Sequence, residues 1–425
     1  MIPKAEPAVI APSPHAWAGM FRALRHRNFQ IFFGGQLVSL SGTWIQTLAQ
    51  SWLVYRLTHS AVLLGAVGFA TQIPVFFLGP VAGAFADRHQ RRAIIVSTQT
   101  AMMIQALIMA SLTLTQRITV WEIFALAFLL GICNAFDIPA RQSFLVEMVG
   151  REDLMNAIAL NSLIFNAARI VGPAVAGILV SALGEGMCFL INGLSFSAVI
   201  VGLRIMKVPA RETGLPSGGR FAQLLQGVRY VRGMPAILLL LALLGWVSLL
   251  AMSYVVLMPI FADKVLGSGA RGLGMLMTSV GLGALIGALW LARRQQVQGL
   301  DRIVPWACAG FGACLILFGL SDTFWVSAML LVPAGFCVMA QLASTNTLIQ
   351  SMVSNEMRGR VMGIYTSMFL GMAPFGSLLA GFLAQKFSAP AAVIFCGTAA
   401  MVGASLYSFR RRSLHADAYQ ASPEI

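Results

Sequence analysis

Few residues in this chain are placed to do chemistry, and most are charges where a charge is costly. Arg169 falls inside a mostly apolar stretch that begins at Leu154. Asp137 falls near the end of another, in Asp137-Ile138-Pro139-Ala140-Arg141-Gln142. Asp87 closes a third and is followed by Arg88, Arg91 and Arg92. A charge inside a bilayer costs about 2.5–3.5 kcal/mol on insertion scales, so each needs a reason. Arg169 shares one helical face with Ser162 and Asn166 at i, i+4, i+7 spacing, which suits the wall of a hydrated cavity. An arginine keeps its charge at any relevant pH and so cannot itself carry a proton. It can hold an anionic ligand group or act on a nearby acid. The structural alternative is a pair with a carboxylate such as Glu122.

If the span holding Asp137 starts near Trp121, the carboxylate lies about 24 Å along it at ~1.5 Å per residue. That depth puts it beside the Arg88–Arg92 segment, as a partner for those arginines. A proton carrier and a local cap with Arg141 are the other two readings.

Other chemistries find no support. The five histidines form no cluster, and Cys133, Cys188, Cys308, Cys314, Cys337 and Cys396 all sit in apolar runs without zinc-site or disulfide-framework spacing. No Gly-x-x-x-x-Gly-Lys phosphate loop occurs. We therefore expect no enzyme, no metal, no cofactor and no use of ATP. Uphill transport would draw on an ion gradient.

These residues need elements to hold them. The chain has 425 residues, 58% hydrophobic and 10% charged, with a mean hydropathy of +0.80. Soluble domains carry about 25% charge. Twelve runs are long enough to span a bilayer. They lie at 30–56, 62–86, 93–114, 121–143, 154–182, 187–206, 235–262, 271–292, 303–320, 324–348, 359–385 and 390–410, the ninth being the shortest. The net charge of +14 is confined to the segments between them, which argues for membrane topology and against nucleic acid. With the N-terminus inside, the only Lys and Arg outside are Arg56, Arg117, Lys264, Arg271 and Lys386, and Arg169 alone is within a span. The positive-inside rule then places both termini in the cytoplasm. Residues 1–18, with four prolines and no apolar core, read as a loose tail rather than a signal peptide.

A displacement of 204 residues superposes Gly79 and Gly83 on Gly283 and Gly287. The same register puts Gly131 and Cys133 on Gly335 and Cys337, Glu152 on Glu356, and Gly172, Ala176 and Gly177 on Gly376, Ala380 and Gly381. The expected fold is an all-α membrane protein of twelve transmembrane helices in two pseudo-symmetric six-helix halves around a midplane cavity. The boundaries are a tail at 1–28, halves at 29–206 and 235–410, a linker at 207–234, and a tail at 411–425. In the linker Phe221, Leu224, Leu225, Val228 and Val231 recur at helical spacing, as an amphipathic helix lying on the inner leaflet would.

The segment Gly83-x-x-x-Asp87-Arg88-x-Gln90-Arg91-Arg92 resembles the signature loop of the major facilitator superfamily, departing from it at Gln90 where the family has Gly. Leu291 stands where the second half would repeat the Asp. The resemblance implies a cytoplasmic gate of Asp87, Arg88, Arg91 and Arg92, joined by Asp137 and Arg141. Ala168-x-x-x-Gly172-Pro173-x-x-x-Gly177 is similar to the span-five motif of the superfamily's antiporters. Asp137-x-Pro139-x-Arg141-Gln142 and Arg169-Ile170-Val171-Gly172-Pro173 resemble the branch that contains the enterobactin exporter and macrolide efflux proteins. In that superfamily, spans one, ten and eleven line the cavity. The implied substrate-binding residues are Gln36, Thr43, Gln46, Asn166, Arg169, Gln341 and Tyr365. The implied function is export of a bulky amphipathic drug or siderophore by proton antiport, in a monomer of the bacterial inner membrane. A lysophospholipid flippase and an uptake permease share the same fold. Span four has Ala127 about where drug/proton antiporters bury an arginine.

Overall fold

Hydrocarbon offers no partner to a backbone amide, so an apolar chain must satisfy its backbone inside helices. The computed structural model describes residues 21–206, 220–294 and 297–420, and among them there is no strand. The long helices are α1 (Arg27–Thr58), α2 (Ala61–Arg88), α3 (Arg91–Leu114), α4 (Val120–Val149), α5 (Leu154–Leu183) and α6 (Glu185–Ile205). They continue as α7 (Pro235–Val265), α8 (Gly269–Ala292), α9 (Leu300–Leu320), α10 (Phe324–Met352), α11 (Asn355–Lys386) and α12 (Ala389–Gln420). Among the described residues, eleven of these are long and apolar enough to cross a membrane; α1 alone falls short of that hydropathy. The ninth run, the shortest in sequence, is a full helix. Helix α1 is the polar one because Ser39, Ser41, Thr43, Gln46, Thr47, Gln50 and Ser51 crowd onto it.

Packing repeats between the halves. Helices α1 with α5 and α6, α2 with α4, and α3 with α4 and α6 form one set. Helices α7 with α11 and α12, α8 with α10, and α9 with α10 and α12 form the other. Two seams join the sets, α2 against α11 and α5 against α8. Each seam is a close backbone crossing. A Cβ on Gly274 would lie 2.5 Å from the Pro173 carbonyl oxygen and 2.9 Å from the Gly177 Cα. In the other seam, a Cβ on Gly381 would lie 2.5 Å from the Ala61 carbonyl oxygen and 3.2 Å from the Gly65 Cα. Small residues let backbones meet and gain dispersion energy where lipid provides no hydrophobic drive. Both crossings lie toward the face opposite the termini. The termini-bearing face carries most of the arginines and is called here the basic face. Contacts of α2 with α11 run from Ala61, whose N–H donates to Gln385 at 3.1 Å, to Phe76 against Phe375. Phe77, Val81 and Phe85, further toward the basic face, are exposed.

Helix α7 is not one regular helix. After Trp246 it passes through a π turn (Val247–Ala251), a 3-10 turn (Met252–Leu257) and a second π turn (Phe261–Val265). Such irregular backbone persists at membrane depth only where protein or a cavity covers it.

At the basic face, a 3-10 turn (Arg22–Arg25) ties the start of α1 to the start of α5. Asp153 takes the Arg22 guanidinium at 3.0 Å and His26 Nε2 at 2.8 Å, and Asn156 accepts the Ala23 N–H at 2.8 Å. The His26 hydrogen bond, helped by Arg22, holds the Asp153 carboxyl below the usual carboxylate range. The clamp therefore contributes at neutral pH and is lost as pH falls through that lowered pKa. The tail at 1–20 lies outside the described residues, as do 421–425 and the linker from 207 to 219. Helix α12 continues beyond the boundary expected at 410. The linker helix Arg220–Arg232 has a protein neighbour. It packs on α11, where Gly227 approaches the Arg360 Cβ and Val231 is buried. Leu225 is exposed, and the side chains of Phe221 and Leu224 lie outside the described part.

The seams predict a conformational effect. In a chain lacking the six native cysteines, Ser60→Cys with Gln385→Cys should be joined by a short bifunctional thiol cross-linker, since the Ser60 hydroxyl and the far end of the Gln385 side chain meet at 3.5 Å. Adding Gly274→Leu should cut the cross-linked fraction several-fold while both halves stay folded. An unchanged fraction would show that the crossings do not hold that end closed.

Candidate functional site: a polar cavity and a buried arginine between the halves

The polar face of α1 is balanced inside its own half. Asn192 Nδ2 of α6 donates to Gln46 Oε1 at 2.7 Å, and Gln46 Nε2 donates to Gln105 Oε1 of α3 at 3.2 Å. Ser195 donates to Asn192 Oδ1 at 3.1 Å. All four are buried. A buried amide left unpaired costs about 1–3 kcal/mol, so this chain of bonds fixes how α1, α3 and α6 sit together. Gly42 is required here, because a Cβ would lie 2.5 Å from both Asn192 Oδ1 and Ser195 Oγ. Gln46, Thr43 and Gln50 also line a cavity of about 210 Å³, completed by Gln72 of α2, Met258 of the irregular part of α7 and Met277 of α8. The cavity thus has walls from both halves. Gln105 and Asn192 do not stand out in the sequence, although a Gln and an Asn in apolar runs are the available signal.

Gln36 lies deeper toward the basic face and is buried against the arginine of α4. Arg141 donates to Gln36 Oε1 at 2.7 Å and approaches Asp137 at 3.4 Å. Asp137 is 1% exposed and also accepts from Thr98 Oγ1 at 2.9 Å and Gln99 Nε2 at 3.1 Å. A buried carboxylate is tolerable only with such a full set of partners. Its ion pair is with Arg141 one turn on, rather than with the Arg88–Arg92 segment. Arg91 pairs with Glu147 of α4 at 2.8 Å and donates to the Ser143 carbonyl at 2.8 Å. Asp87 stands 3.7 Å from Arg91 on the other side. Arg92 donates to the Arg204 carbonyl at 3.0 Å, and Arg88 is exposed. Glu147 is hidden in the sequence because it lies past the apolar part of span four, where a carboxylate looks like ordinary surface.

Arg169 differs from Arg91 and Arg141, the other arginines held largely inside the protein, which pair with carboxylates. It makes no ion pair or side-chain hydrogen bond among the described residues, and its Nε is buried without a partner. Glu122 is not its partner: that carboxylate accepts the Thr119 N–H at 2.7 Å and closes the capping box of α4. Tyr254, in the 3-10 turn of α7, lies near it, and a Cβ on Gly281 of α8 would lie 3.4 Å from the Arg169 carbonyl oxygen. Arg169 thus stands at the boundary with the other half, one turn from Pro173 in the α5–α8 crossing. Asn166, one turn nearer the basic face, bonds only to its own helix through the Ser162 carbonyl at 2.8 Å. In the second half, Gln341 and Ser344 of α10 are fully buried. Neither amide atom of Gln341 nor the Ser344 hydroxyl has a partner among the described residues. Tyr365 of α11 donates to the Leu342 carbonyl at 3.3 Å. The structure thus brings Thr43 and Gln46 to one cavity, Gln36 to the Asp137–Arg141 pair, and Gln341 and Tyr365 to the α10–α11 contact.

The family described as transmembrane secretion effector matches residues 18–424. The chain is 25% identical over 391 residues to a staphyloferrin A transporter of Staphylococcus aureus, covering 90% of this chain and 96% of that protein. It is 24% identical to the multidrug efflux pump Tap of Mycolicibacterium fortuitum (82% and 87% covered) and to the enterobactin exporter EntS of Shigella boydii (84% and 85% covered). The fold is that of a bacterial homologue of the human lysosomal transporter Spinster in its inward-facing, occupied conformation. The TM-score is 0.70 at 14% identity, over 92% of this chain and 97% of the other. The twelve-helix architecture, its repeated packing and the match across nearly the whole length make the chain a multi-span membrane transporter of the transmembrane secretion effector family, within the major facilitator superfamily.

Proposed function

We propose that this transporter exports a bulky amphipathic small molecule with an anionic group, a siderophore or drug, across the bacterial inner membrane by alternating access. The observation that carries this reading is Arg169. A guanidinium held at the seam between two halves, without a carboxylate among the described residues, is satisfied when a ligand supplies the anion. The cavity of Thr43, Gln46, Gln50 and Gln72 offers adaptable hydrogen bonds, and Met258 and Met277 offer an adaptable apolar wall. The names of the siderophore and drug transporters to which the chain is similar support the substrate class. The basic face is the cytoplasmic one by the positive-inside rule, so the crossings at Gly177–Gly274 and Gly65–Gly381 close the periplasmic end. Protons are the coupling ion in this reading. Asp87, Arg88, Arg91, Arg92 and Glu147 form the cytoplasmic gate, with Asp137 and Arg141 bracing it.

Efflux from intact cells loaded with dyes, macrolides or catechol siderophores, with and without an uncoupler, tests the direction and the drive. Uncoupling should abolish efflux; efflux that persists, or uptake instead, defeats the reading. Arg169→Ala should lower transport of an anionic substrate about tenfold or more, the scale of one charged hydrogen bond, with membrane insertion retained. Arg169→Lys should retain part of it, because the charge remains and the planar fork is lost. Normal transport by Arg169→Ala would remove the arginine from the site.

The gate makes a separate prediction. Glu147→Gln and Asp87→Asn should each slow transport without loss of folded protein. The exchange Arg91→Glu with Glu147→Arg should recover more activity than either single change. No recovery would mean that the pair acts by position and not by charge.

A further inference from the structure

Away from the transport path, α9 and α12 part toward the basic face. Deep in the membrane they touch: a Cβ on Gly312 would lie 2.5 Å from the Gly397 carbonyl oxygen, and Cys308 Sγ reaches the Ala400 carbonyl at 3.3 Å. Beyond that contact the facing residues are Pro305, Ala309 and Ala404, too small to fill the space, and a groove of about 620 Å³ opens. Its rim is cationic. Arg302, in the first turn of α9, is exposed and makes no side-chain ion pair among the described residues. Across the groove, Arg411 of α12 is steadied by Asp301 at 3.1 Å, and Arg410 is exposed next to it. Below the rim the walls are apolar. Trp306, one turn past Arg302, is 79% exposed, and Phe409 of α12 is 75% exposed. The hydroxyls of Ser405 and Ser408 are spent on their own helix, at 2.9 Å to the Met401 carbonyl and 2.8 Å to the Ala404 carbonyl.

Charge at the rim and aromatic surface one turn deeper is the profile of an anionic amphiphile standing in a bilayer. A free anion would use only the rim, and a neutral lipid would leave the arginines unanswered. We propose that this groove holds one anionic phospholipid, its phosphate between Arg302 and Arg411 and an acyl chain against Trp306 and Phe409. The site does not depend on which molecule the transporter carries.

The test uses the full chain purified into nanodiscs, with bromine-labelled phosphatidylglycerol or phosphatidylcholine as the quencher. The quenching lost in Trp306→Phe isolates the Trp306 signal. Brominated phosphatidylglycerol should quench it at about tenfold lower mole fraction than brominated phosphatidylcholine. Arg302→Gln, which breaks no ion pair within the described residues, should remove most of that preference, and Arg302→Gln with Arg411→Gln all of it. Inorganic phosphate at tens of millimolar should leave the quenching unchanged. Equal quenching by the two lipids, a preference that survives Arg302→Gln, or competition by inorganic phosphate would each overturn the proposal.

Discussion

A bilayer gives a polar group nothing to bond with, and this one constraint organises the molecule. It puts the backbone into helices and leaves irregular turns only in α7, where other helices and the cavity cover them. It forces each polar side chain within the membrane to find a partner in the protein or to await one. Gln46, Gln105, Asn192 and Ser195 have found partners in each other, and Asp137 in Thr98, Gln99 and Arg141. These bonded sets all lie within the first half and tie its helices together. Among the buried side-chain atoms without partners in the described residues, both amide atoms of Gln341 and the Ser344 hydroxyl lie in the second half and Arg169 Nε lies close to it, while Gln36 Nε2, Gln99 Oε1, Arg91 Nε and the Tyr55 hydroxyl lie in the first.

The two seams differ in kind from the contacts within a half. Each crossing is backbone on backbone, with glycine from both helices in contact. Such a contact has few side chains to repack when it slides or opens. The bonds within a half are specific and directional, whereas those between halves are mostly dispersion and shape. The alternating access proposed above would break the weaker class of contact and spare the stronger one.

The helices were legible in sequence because a run of about twenty apolar residues matches the thickness of a bilayer and little else. The two-half plan was legible because one unbroken register carries glycines, several of which, such as Gly131, Gly335 and Gly381, leave no room for a Cβ. What could not be read was the choice of partner. Arg141 pairs with Asp137 one turn away on its own helix, a contact visible in spacing. Arg91, however, takes Glu147, fifty-odd residues away on another helix, and nothing in either residue's neighbourhood announces the other. Likewise the polarity of α1 was visible, but not that Gln36 faces an arginine while Gln46 faces an amide network and a cavity. Those depend on helix rotation, which packing decides and periodicity does not. The linker shows the same limit: its amphipathic pattern gives no sign that α11 is the helix it packs against.

The Gly65–Gly381 and Gly177–Gly274 crossings have an electrical consequence. Two backbones in contact leave no room between them for a file of water molecules. In the alternating access proposed above, the closed end is therefore an insulator, and the membrane voltage would fall mainly across that thin layer instead of the whole bilayer. Arg169 stands one turn from Pro173, where the layer begins on α5. One elementary charge crossing the full potential is worth about 2.3 kcal/mol per 100 mV. A seal that changes sides would carry the field past the guanidinium. On that proposal, whether Arg169 is bare or neutralised by a bound anion would set how strongly the membrane voltage biases the two states of the carrier.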